Sequence, residues 1–175
     1  DAGVSAGRGA PEAESAKTLD EAARAKYLGG DAFVPVGHQR IRGVVRAVLG
    51  ALPEGAGGDW DKARSIYAWV YENIEKTPVM SVPTALDVLD SREGDCNEHT
   101  VLFVALARTA GVPSRAAVGL VWSEALNAFG YHAWPEVFVG EWVPMDPTLG
   151  QPLADATHIK RSEEHTSELQ SPLCI

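Results

Sequence analysis

The chain has little cysteine, a deficit of positive charge and no long apolar run. Two cysteines, Cys96 and Cys174, in 175 residues are too few for a disulfide framework and leave the redox compartment open. Fifteen Lys and Arg against 24 Asp and Glu give a net charge of −9. That balance argues against general binding to nucleic acid or to an anionic membrane surface, both of which ask for a basic face. The longest stretch without Asp, Glu, Lys or Arg is the eleven residues Ala125 to Pro135, whereas a membrane-spanning helix needs roughly 20. No Gly-rich phosphate loop occurs, since no Lys-Ser/Thr pair follows the tract Gly55 to Gly58. The chain opens at Asp1 with neither an initiator Met nor a basic-then-apolar signal, as expected of a mature product or a piece of a longer reading frame. What is there is ordinary: 45% hydrophobic and 22% charged residues fit one globular domain with loose ends.

Residues 1–26 are rich in Ala, Gly and Glu and have almost no large apolar side chain to bury, so they read as a flexible leader or a surface helix. From Tyr27 the pattern changes. Ile41, Val44, Val45, Val48 and Leu49 recur at helical spacing, and Asp59 is placed to cap a second helix carrying Ile66, Trp69, Val70 and Ile74. The residues from Thr77 to Val82 read as an extended loop, and Pro83 suits the start of a short helix reaching Asp90. Asp95 can cap a helix running to Ala110, with Glu98 at capping-box spacing and a body, Val101 to Leu106, that is apolar nearly all round. Gly111, Val112 and Pro113 end it. Three strand-like segments follow, Ala116 to Trp122, His132 to Val139 and Trp142 to Met145, with Gly140 at a hairpin turn. The order predicts an α+β domain in which a buried helix packs on a small antiparallel sheet.

Cys96 falls in the first turn of that helix, where outward-pointing backbone N–H groups and the helix dipole favour a thiolate. A small structural cysteine is the other reading of the same position. His132 opens one strand and Asp146 ends its partner, so the two can share a face of the sheet; the carboxylate would then orient the imidazole and the imidazole would take the thiol proton. A lone strand histidine with a satisfied ring is the alternative. Cys96 and His99 are three apart, a possible metal half-site, but no second Cys or His pair completes it. No metal and no cofactor are expected. Glu98 reads as a capping residue, Trp134 and Trp142 as sheet packing, and His99 as lining the site or packing beneath it.

These residues also stand in a recognisable order. REGDCNEHTVLFVALARTAGVPSR, from Arg92 to Arg115, resembles the nucleophile helix of the transglutaminase-like superfamily, in which Gly-Asp-Cys-x-Glu opens a helix ending in Arg-x-x-Gly-hydrophobic-Pro-x-Arg. YHAWPEVFVGEWVPMDPT, from Tyr131 to Thr148, resembles that family's His and Asp strands. The likeness extends over Val70 to His158. It implies a core similar to papain-like cysteine proteinases, with Cys96 as nucleophile, His132 as general base and acid, and Asp146 as the orienting carboxylate. It further implies protein or peptide amides as substrates and a thioester acyl-enzyme, released by an amine in cross-linking or by water in deamidation or peptide hydrolysis. The backbone N–H of Cys96 is the natural first oxyanion donor. Eukaryotic members use an upstream Trp as second donor; Trp60 and Trp69 both lie upstream here and that role is left unassigned. Two rivals share the pattern: a non-catalytic binding or scaffold module, and an acyltransferase with the same triad. Bacterial relatives are often exported, which points to the periplasm or cell surface. Oligomeric state is not legible.

The tail reads differently. RSEEHTSELQS, from Arg161 to Ser171, resembles the in-frame translation of a common short-read sequencing adapter. The expectation is therefore a transglutaminase-like domain over residues 27–160, cut short at its C-terminal end in an assembled read set. Residues 161–175 are then expected to be non-native and to lie outside the packed fold, with His165 and Cys174 carrying no functional meaning.

Overall fold

The computed structural model describes residues 17–79, 83–124 and 126–163. Helices come first. α1 (Glu21–Leu28) buries none of its residues, although the Tyr27 ring sits edge-on at 4.7 Å from Trp142 and so ties the helix to the sheet. α2 (Gln39–Gly50) buries Ile41, Val45 and Val48, and α3 (Asp59–Asn73) buries Trp60, Ala63, Ile66, Tyr67 and Val70. The spacing of these apolar side chains gives each helix one inward stripe. The cap of α3 is Gly58 rather than Asp59; the carboxylate that accepts the leading N–H groups of Gly57 and Gly58 belongs to Asp61. β1 (Glu75–Lys76) follows, then α4 (Ala85–Ser91), which is capped by Thr84 and Asp87, and β2 (Glu93–Gly94), which pairs with β1 in parallel.

α5 (Cys96–Thr109) is the central element. Every residue from Cys96 to Arg108 is buried. The expected cap is present: the Asp95 carboxylate accepts from the Asn97 N–H at 2.9 Å and Glu98 Oε2 accepts from the Asp95 N–H at 2.9 Å. Gly111, at φ +82°, supplies the left-handed residue that ends the helix. The approach to the helix is tight, because a Cβ on Gly94 would lie 2.1 Å from the Glu98 Cβ.

The sheet is antiparallel, in the order β5 (Trp142–Pro144), β4 (Ala128–Phe138), β3 (Ser114–Ser123), β6 (His158–Glu163). Gly140, at φ +99°, makes the predicted turn between β4 and β5. α5 packs against both β3 and β4, and its apolar side chains join Val137, Val143 and Met145 in one core with α2, α3 and α4. Arg115 enters this assembly as a buried cation, paired to Glu136 at 2.7 Å, with its guanidinium 3.9 Å from the centre of the Trp142 ring.

β6 differs from expectation. It continues to Glu163, three residues into the stretch expected to lie outside the packed fold, with Ala117 opposite Glu163 and Val118 opposite Ser162. Strand addition uses backbone groups and places little demand on the side chains. Here Glu163 also meets Arg115 and Lys160. Residues 1–16 of the expected leader, Met80 to Val82 of the expected loop, and His165 and Cys174 of the tail lie outside the described residues.

Candidate active site

Three elements deliver the predicted residues. Cys96 is the first residue of α5 and is wholly buried; His132 projects from β4; Asp146 follows β5 at the start of a closed turn. The structure brings His132 and Asp146 together at 2.6 Å, His132 Nε2 to Asp146 Oδ2, with both side chains fully buried. The turn fixes the carboxylate from the other side. Oδ1 accepts from the backbone N–H groups of Thr148 at 2.8 Å and Leu149 at 3.0 Å, and Asp146 and Gln151 exchange two backbone hydrogen bonds of 2.8 Å each.

Asp146 is held well below the usual carboxylate range. Burial alone would raise it, but the hydrogen bonds from two imidazoles, the charge of His132 and the Leu149 N–H outweigh that. An ionised carboxylate only accepts, so His132 must carry its proton on Nε2. In its neutral form the ring has its lone pair on Nδ1, the nitrogen that a base toward a thiol needs. His132 Nδ1 is buried and has no hydrogen-bond partner among the described residues, Cys96 included.

Cys96 is held in a disulfide rather than as a free thiol. A pair of cysteines gave no warning of this. Glu98, behind Cys96, has its carboxyl raised to about 7, first by burial and then by its hydrogen bond and charge contact with Asp95. His99 packs beneath the site, 1% exposed, with Nδ1 2.7 Å from the Asp95 carbonyl; burial lowers its pKa, which keeps the ring neutral. Trp134 is 1% exposed and stacks near His132, while Trp142 packs between Tyr27 and Phe138, so both serve the sheet.

Sequence reasoning missed His158. It lies on β6 with its side chain 3% exposed and its Nε2 3.0 Å from the same Asp146 Oδ2. His132, Asp146 and His158 offer three ligand atoms within 4.8 Å of one another. A tetrahedral zinc at about 2.0–2.1 Å would hold N and O ligands roughly 3.3 Å apart. The 2.6 Å and 3.0 Å separations are instead those of protons shared with a carboxylate. A cleft of about 740 Å³ opens elsewhere, against Trp60, Arg24, Arg64 and Phe138, and none of these three residues lines it.

A buried Cys-bearing helix laid on an antiparallel sheet, with an Asp-anchored His on the neighbouring strand, defines a papain-like α+β core. The sequence profile described as the transglutaminase-like superfamily matches residues 46–147, and the chain belongs to that superfamily. No curated protein matches it. Among solved structures, a provisionally assigned cysteine protease from Cytophaga hutchinsonii is similar at TM-score 0.68 and 21% identity, over 83% of this chain and 48% of that one. The periplasmic domain of TgpA from Pseudomonas aeruginosa is similar at TM-score 0.55 and 20% identity, over 75% of this chain and 48% of that one. The chain thus spans about half the length of each. At these identities the likeness is one of fold.

Proposed function

We propose that this chain is a cysteine enzyme acting on protein or peptide amides through a thioester on Cys96. The observation that carries the reading is the buried His132–Asp146 hydrogen bond, which fixes the tautomer and leaves Nδ1 of His132 as the basic nitrogen. In the first half-reaction the Cys96 sulfur attacks the amide carbonyl while His132 accepts the thiol proton. His132 then returns that proton to the departing amine as the C–N bond breaks. In the second, water or an amine attacks the thioester, giving up its proton to His132, and the proton ends on Cys96. Asp146 stays ionised throughout and stabilises the imidazolium. The backbone N–H of Cys96, in the first turn of α5, is assigned to the oxyanion. The reading invokes no metal and no cofactor. An exported location is supported by the periplasmic origin of one fold relative.

A sulfur held in a disulfide cannot attack a carbonyl, so the reading applies to the reduced protein. The rival is a non-catalytic binding or scaffold module of the same fold, in which Cys96 would do no chemistry. Incubation of the reduced protein with a peptide library and an added amine, followed by mass spectrometry, separates deamidation, hydrolysis and amine incorporation. A thioester trapped on Cys96 with any of these products is the expected result. An unchanged library and unmodified Cys96 would leave the binding module.

A further inference from the structure

We propose that His158 is a positioning residue of this site, holding the Asp146 carboxylate in the one orientation that serves His132. The inference rests on the reading of Cys96, His132 and Asp146 as a triad.

A carboxylate has about four lone-pair directions, and all four of Asp146 are occupied. Thr148 and Leu149 take Oδ1, and His132 and His158 share Oδ2. With Asp146 fully buried, removing His158 leaves one oxygen held by a single bond, and that bond is to the ring that must tilt and change charge during the reaction. An unfilled lone pair on a buried carboxylate is costly, and rotation of the group or entry of water would relieve it. Either change would slacken the His132 contact.

His158 is itself fixed for this task. β6 sets it opposite Val121, and the strand can come this close because residue 119 is glycine: a Cβ there would lie 2.1 Å from the Ile159 carbonyl oxygen. The Trp134 ring meets His158 edge-on at 5.0 Å. The titratable groups facing His158 are Asp146, His132 at 5.7 Å between ring centres, and Asp155, whose Oδ1 is 3.4 Å from Nδ1, an ion-pair distance without hydrogen-bond geometry. Burial pulls the His158 pKa down, but the two carboxylates outweigh it and the net shift is upward. The imidazole is therefore suited to remain a donor to Asp146.

The test compares wild type, His158→Leu, His158→Gln and His158→Asn, all reduced and with folding checked by thermal melting. Two readouts are taken: iodoacetamide labelling of Cys96 against pH, mapped by peptide mass, and kcat and KM on a peptide found by the library experiment. The wild-type arm judges the triad. If wild-type Cys96 labels only as an ordinary thiol and no turnover occurs, the triad reading falls, and this inference with it. Given a working triad, His158→Leu is expected to lose roughly 10- to 100-fold in kcat, by analogy with the loss on removing the outer partner of a metal-ligating side chain, with KM unchanged within twofold. His158→Gln, whose amide N–H reaches Oδ2, should recover to within a few-fold. If His158→Leu fails to fold, Gln against the shorter Asn decides, with Gln expected at least about tenfold faster, from the lower end of that range. Wild-type kcat in the Leu variant, equal rates for Gln and Asn, or a loss carried wholly by KM would overturn the proposal.

Discussion

Replacing Asp146 by Asn tests the site most directly, because the structure dictates how the amide must sit. The carboxylate accepts four hydrogen bonds: two backbone N–H groups on Oδ1 and two imidazoles on Oδ2. Asn has one acceptor oxygen. The amides of Thr148 and Leu149 belong to a turn closed by reciprocal Asp146–Gln151 backbone bonds, so the oxygen must stay with them and the NH₂ must face the rings. His132 is then forced to accept at Nε2 and to carry its proton on Nδ1, the nitrogen needed to take the thiol proton. The wrong tautomer in a serine-protease triad costs about 10⁴ in rate. That is about 5.4 kcal/mol of transition-state stabilisation at 1.36 kcal/mol per decade. We expect a loss of this order in kcat with substrate binding retained. The assay is steady-state turnover of the reduced protein on an identified peptide, with melting followed in parallel. A variant that folds and turns over within tenfold of wild type would refute the tautomer argument and reduce Asp146 to a turn residue.

Cys96→Ala should abolish turnover while the fold persists, since a small side chain at a helix start leaves little cavity; melting must be compared under reducing conditions, and residual turnover would remove Cys96 from the chemistry. Glu98 predicts a pH effect of definite sign. Its pKa is raised to about 7 in the folded state from 4.5, so the protonated form favours folding and stability falls as pH rises from the lower value through the upper. Glu98→Gln, neutral at every pH, should flatten that decline in melting temperature, and an unchanged slope would count against the buried acid. Gly94→Ala, whose Cβ would strike Glu98 at 2.1 Å, should cost about 1–3 kcal/mol, read as a drop of roughly 2–4 °C per kcal/mol; unaltered melting would mean that α5 shifts freely.

Legibility followed local physics. The start of α5 could be read because a cap, a capping box and an apolar body repeat one message within Asp95 to Leu106, and β3 to β5 could be read from their apolar residues and turn glycines. That His132 and Asp146 could share a face of the sheet was legible once those strands were placed, but their contact was not. β6 was invisible because His-Ile-Lys-Arg-Ser-Glu has neither alternation nor a run of β-formers; it pairs through its backbone. His158 was missed for that reason. Its one signal is positional, since only a fourth strand beside β3 brings it to Asp146. The β1–β2 pair is too short for any periodicity, and a disulfide depends on distances that spacing along the chain does not encode.

The turn that carries Asp146 has a consequence for heat inactivation. Its two ends are pinned by paired backbone bonds, its carboxylate is bonded from both sides, and the group lies wholly inside the domain. Such a segment has little freedom to open before the sheet and α5 separate. Many enzymes lose activity some degrees below their melting point because a site loop melts early. Here the His132–Asp146 pair and the global transition should share one midpoint, so that thermal loss of the proposed activity in the reduced protein reports the cooperativity of the whole domain.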